Sequence, residues 1–215
     1  MNVARYTPQE EIASATVHAV GVLLAVIGLV ALIDAAAQQP SAHHMASAIV
    51  YGVSLLLMYC VSVAYHSTRR PQLKTRFRAA DHCMIFLLIA GTYTPLALVS
   101  LRGAWGWSLL AAIWALAVGG IALKLWLGSD HHGVFVALYV AMGWCGIVLI
   151  RQLLVAVPAG GLWLLLAGGL AYTGGVWFYR RRSLRHHHAI WHTFVLVASA
   201  LHFFAILKYV LPAQP

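Results

Sequence analysis

His188 and His192 stand four residues apart, so a helix would carry both imidazoles on one face. That spacing lets two neutral imidazoles bind one metal ion. Two ligands do not make a stable site, and His66 is the candidate third. Three histidines with a fourth position left to water form the open arrangement of catalytic zinc. Imidazole also suits other divalent ions, so the ligand set alone does not single out zinc. A carboxylate nearby can orient a ligand or the water, and Asp81 is available. Ser62, one helical turn before His66, is either a hydrogen-bond partner for the site or a small packing residue. The expected site is therefore metal ligands His66, His188 and His192 with Asp81 as the candidate catalytic carboxylate, and the role of Ser62 stays open between those two readings.

Bringing these side chains together requires helices that share a solvent, and composition names it. The 215 residues are 62% hydrophobic and only 9% charged. A soluble domain is about 45–50% apolar and about 25% charged. Lipid resolves that conflict, and it demands helices whose backbone is satisfied internally. Apolar stretches of about 20 residues predict an all-α, polytopic fold. Its seven transmembrane helices lie at about 15–37, 46–66, 81–101, 104–124, 132–150, 161–179 and 188–209. Little chain is left for loops, so one transmembrane domain over 1–215 is expected. The stretch 15–33 is long for a cleaved leader, and Glu10 and Glu11 precede it where positive charge would be needed. It is read as a span. The three cysteines form no visible disulfide framework.

The net charge of +9 reports orientation rather than affinity for nucleic acid. With the N-terminus in the cytoplasm, 11 of the 14 Lys and Arg fall on the cytoplasmic side, which predicts the N-terminus inside and the C-terminus outside. The same topology puts Glu11, His18, His66, Asp81, His82, His188 and His192 near the cytoplasmic ends of their helices. Ionisable groups inside a span are costly, so a shared depth points to one functional cluster. Glu11 and His18 read equally well as a pair on a helix interface or as part of that cluster. His202 lies ten residues beyond His192, about 15 Å along a helix, and reads as cavity lining or a helix–helix contact. His43 and His44 are expected in a solvated outer loop, and His186 and His187 against headgroups. Asp130, His131 and His132 read as a polar loop in preference to a second metal site. Trp105, Trp107 and Trp163 suit the outer interface. Pro95 is expected to kink its helix or widen a cavity. Gly119-Gly120, Gly168-Gly169 and Gly174-Gly175 are expected to permit close helix approach.

Several segments resemble the haemolysin III family, the bacterial branch of the progestin and adipoQ receptor superfamily. They are Glu10-Glu11-Ile12-Ala13 with His18 and Gly21, and Ser62-Val63-Ala64-Tyr65-His66. Asp81-His82 follows, with Ala90-Gly91-Thr92-Tyr93-Thr94-Pro95, then Tyr139 to Trp144, and His188-Ala189-Ile190-Trp191-His192. The first motif departs from the family pattern at Ser14, where Asn is usual, and at Val17, where Thr is usual. The resemblance implies zinc on His66, His188 and His192, with Asp81 and Ser62 close to the metal. It also implies a multi-pass protein of the bacterial inner membrane. The superfamily's similarity to alkaline ceramidases implies hydrolysis of a lipid amide or ester and a part in membrane lipid balance, with a membrane lipid as substrate or ligand. A receptor or regulator with structural zinc is the alternative. A pore-forming cytolysin, suggested by the family's name, fits poorly, because a secreted toxin should be soluble before it inserts.

Overall fold

The computed structural model describes residues 6–128 and 131–212. All regular structure among them is helical. Seven helices are long and apolar enough to cross a membrane: α1 Pro8–Ala37, α2 Ala42–Ser67, α3 Pro71–Leu101, α4 Gly103–Leu127, α5 His132–Ala156, α6 Ala159–Arg180 and α7 His187–Val210. Short connections make successive helices antiparallel neighbours. They pack in chain order, α1 on α2, α2 on α3 and α3 on α4, while α6 packs on α7 and α7 returns to α1. Contacts of α5 with α3, α4 and α6 are thinner.

Polarity is inverted relative to a soluble bundle. Leu23, Ile27 and Leu125 are each 66% exposed. Ser14, His18, Ser62, His66 and His192 are buried. Apolar side chains facing outward along whole helices need lipid around them. The chain is a multi-pass membrane protein. Two apolar clusters hold the interior. One, around Phe86, Ile113, Phe135 and Met142, joins α3, α4 and α5. The other, around Leu32, Tyr51, Tyr59 and Val195, joins α1, α2 and α7.

Helix ends differ from the hydropathy expectation in an informative way. α1 begins at Pro8, not near residue 15. Thr7 caps it, accepting from the Glu10 amide while the Glu10 carboxylate takes the Thr7 amide at 2.9 Å. That reciprocal pair, with Pro8 in the first turn, is a sequence-readable start signal. α3 begins at Pro71, not near 81. Its first turns carry Lys74, Arg76 and Arg78, which hydropathy discards although they are helical. Hydropathy marks the part of a helix that lies in hydrocarbon, not the helix itself.

Two spans are irregular. Pro95 lacks an N–H, and its ring crowds the carbonyl four residues back. Past it, α3 loosens into a π-helical segment, Leu96–Leu101. α5 breaks after Gly143, runs through a 3-10 stretch, Cys145–Leu149, and resumes at Ile150. Tyr93 of α3 fills the break. Its hydroxyl donates to the Gly143 carbonyl at 2.6 Å and accepts the Gly146 amide at 2.8 Å. In each glycine pair one member makes the close approach: Gly120 against Phe86, Gly168 against His202, and Gly175 against Trp191 and Phe194. Gly119 faces open space. The three tryptophans named above are exposed, as interface residues should be.

Candidate metal centre

The basic end of the bundle is where α1, α3 and α7 begin and α2 ends. Lys74 of α3 organises it. Its ammonium donates to the Tyr65 and Thr68 carbonyls at 3.1 and 3.4 Å, capping the end of α2. It also pairs with Glu11 Oε1 of α1 at 2.9 Å. One side chain thus ties three helices together. The loop before α7 is tied to α1 as well. Arg185 donates to Gln9 Oε1 at 2.9 Å, and the His186 amide to Glu10 Oε1 at 3.2 Å.

Those ties bring His66, His188 and His192 together. All three are buried, and one ligand atom from each lies within 4.8 Å of the others. Glu11 Oε2 accepts a hydrogen bond from His66 Nδ1 at 2.7 Å. The proton is therefore on Nδ1, and the Nε2 lone pair faces inward. His66 Nε2 lies 3.0 Å from His192 Nε2. His188 Nδ1 is 3.2 Å from the Tyr6 hydroxyl, while its buried Nε2 has no partner. Tyr6 stacks on His188 with ring centroids 4.8 Å apart. Its burial pushes the phenol pKa well up, so it keeps its proton.

The arrangement fits a zinc-like cation. Bonds of about 2.0–2.1 Å in tetrahedral geometry set ligand nitrogens about 3.4 Å apart. The 3.0 Å between the His66 and His192 Nε2 atoms is close to that figure, and the partnerless buried Nε2 of His188 is a free ligand atom beside them. This buried group can hold a metal ion.

His18, left open by the sequence, belongs to the cluster. Its ring centroid is 3.7 Å from that of His192, and both its nitrogens are buried without a partner. Glu11, also left open, is the carboxylate on His66. Asp81 occupies another position. It is buried beside Ser62 and lines a cavity with His18, His188 and His192. That cavity runs among α3, α5, α6 and α7 and holds about 1260 Å³ of space, its open side included. Ile85, Leu88, Val136 and Val176 line its apolar part.

The remaining histidines sort themselves by helix register. His202 approaches the Leu165 carbonyl of α6 at 3.1 Å, a helix–helix contact as expected. His44 is buried rather than solvated, because α2 begins at Ala42 and turns it inward with Ser47 and Tyr51. His187 is buried rather than facing headgroups, because Tyr6 packs over it at 5.8 Å between ring centroids. Asp130 lies outside the described residues. His132 opens α5, and its Nε2 accepts from Arg78 at 2.6 Å.

Comparison with known proteins agrees with this architecture. A family model described as haemolysin-III related matches residues 6–203. The chain is 44% identical over 204 residues to Hemolysin-3 of Bacillus cereus, covering 95% of this chain and 93% of that one. It is 41% identical over 204 residues to the Hemolysin-3 homolog of Bacillus subtilis (strain 168), covering 95% and 96%. It is also similar to the human monocyte to macrophage differentiation factor, 30% identical over 166 residues, covering 74% of this chain and 68% of that protein. With a family match over nearly its whole length, the chain belongs to the haemolysin III family.

Proposed function

We propose that this protein is a zinc-dependent hydrolase of a lipid amide or ester, resident in a bacterial inner membrane with its N-terminus in the cytoplasm. The observation that carries the reading is the apolar cavity lined by His188 and His192, which converge with His66 on one buried group. The orientation rests on the placement of 11 of the 14 basic residues at that end of the spans. Zinc, when bound, supplies Lewis-acid polarisation of a carbonyl and acidifies a water.

The protein's own residues do the rest. Glu11 holds the proton on His66 Nδ1 and keeps Nε2 free to ligate. Asp81, at the cavity wall, orients the attacking water and takes its proton. Ser62 positions the Asp81 carboxylate. The apolar walls hold acyl chain and exclude bulk water, which strengthens every polar interaction inside.

The test is turnover of ceramides and other acyl lipids by detergent-purified protein, with zinc content measured in parallel. Asp81→Asn should abolish turnover while keeping zinc. No turnover on any acyl lipid, from protein that carries its zinc, would remove the hydrolase reading.

A specific observation also favours a structural metal. His66 is on α2 and the other two histidines are on α7, and α1 packs against both helices. A cation there cross-links the bundle. On that reading, chelation unfolds the protein and no lipid is hydrolysed.

A further inference from the structure

His66 and His188 stand on different helices, yet each meets a polar group from the same short stretch of chain. Glu11 accepts from His66 Nδ1. Tyr6, the residue before the α1 cap, places its hydroxyl 3.2 Å from His188 Nδ1. Its ring stacks on that imidazole, with centroids 4.8 Å apart and planes 26° from parallel. One side chain therefore holds both an edge and a face of His188.

The stretch that carries Tyr6 is anchored independently of His188. Thr7 and Glu10 close the capping box, which fixes how the chain enters α1. Gln9 and Glu10 accept from Arg185 and from the His186 amide, in the loop that opens α7. Those contacts deliver Tyr6 over the start of α7. Its ring also lies 6.4 Å from that of His66 and 5.8 Å from that of His187.

A neutral imidazole carries one proton, and its partners decide which nitrogen holds it. On His188 Nε2 the proton would be buried with nothing to accept it, because that atom has no hydrogen-bond partner among the described residues. On Nδ1 it meets the phenol oxygen, which can accept while keeping its own O–H. That second tautomer leaves Nε2 with a free lone pair, as a metal ligand requires.

The geometry points to Tyr6 as the positioning residue for His188. Its hydroxyl accepts from Nδ1, fixes the tautomer and the ring orientation, and keeps Nε2 available to the metal. Glu11 and Tyr6 then orient ligands on α2 and on α7 from one end of α1. This rests on the metal reading of the site and not on hydrolysis.

Zinc affinity of detergent-purified, full-length protein, measured by competition with a chromophoric chelator, tests it. Tyr6→Phe keeps the stacked ring and removes the acceptor, so it should weaken zinc binding about tenfold. Tyr179→Phe is the control. The Tyr179 ring lies 5.9 Å from that of His188 with no hydrogen bond to it, and affinity should not change. The thermal midpoint of metal-free protein should be the same in wild type and Tyr6→Phe, because the effect passes through the ligand and not through the fold. Wild-type affinity in Tyr6→Phe overturns the inference. So does a loss matched by Tyr179→Phe, or one accompanied by a lower midpoint of the metal-free variant. Wild-type protein that binds no metal would remove the metal reading itself, a result distinct from a loaded wild type and an equally tight Tyr6→Phe.

Discussion

Replacing Glu11 by glutamine removes the charge that faces His66 while keeping the size of the side chain. The bond at stake is 2.7 Å long, between a buried imidazole and a carboxylate whose side chain is 15% exposed. Losing such an outer partner of a metal-ligating histidine lowers metal affinity about 10–100-fold, or about 1.4–2.8 kcal/mol. The fold should survive, because Lys74 keeps its bonds to the Tyr65 and Thr68 carbonyls. Lys74→Met is the control. It breaks the 2.9 Å ion pair with Glu11 but leaves the His66 bond, so its effect should stay below about fivefold. Zinc affinity is read by competition with a chromophoric chelator in detergent micelles. Wild-type affinity in Glu11→Gln, or an equal loss in Lys74→Met, would mean that Glu11 does not act through His66.

Gly21→Ala places a Cβ 2.6 Å from the Tyr59 ring, which itself packs edge-on against His18. The clash should cost about 1–3 kcal/mol and lower the thermal midpoint, whereas Gly119→Ala, facing open space, should not. Acidification should release the metal, because protons and cation compete for the same imidazole lone pairs. Stability linked to the metal is thus present at neutral pH and lost as pH falls. Zinc retention unchanged by acidification would count against imidazole ligation.

How much of this was legible in the sequence depends on the physics each feature uses. Seven spans follow from apolar length, since lipid leaves few alternatives. The triad follows from the i, i+4 spacing of His188 and His192 together with the depth of His66. The helix starts escaped hydropathy because 8–14 and 71–80 carry too many polar and charged residues to read as apolar, although Thr7, Pro8 and Glu10 spell a cap. The role of Glu11 needed the third dimension. Only the packing of α1 against α2 distinguishes an interface pair from a ligand's partner. The break in α5 has no local signal as strong as proline, and the hydroxyl that fills it comes from Tyr93, fifty residues from Gly143. Arg78 looked like one more positive-inside residue, and burial alone sets it apart from Arg76.

Every role proposed above depends on His66, His188 and His192 holding one metal ion. X-ray absorption at the zinc edge on purified, full-length protein tests it most directly. Such protein should carry about one zinc per chain with three imidazole nitrogens at about 2.0–2.1 Å, and the signal should be lost in His192→Ala. Protein that folds and binds lipid without zinc, or zinc held by sulfur or by fewer than three imidazoles, would contradict it.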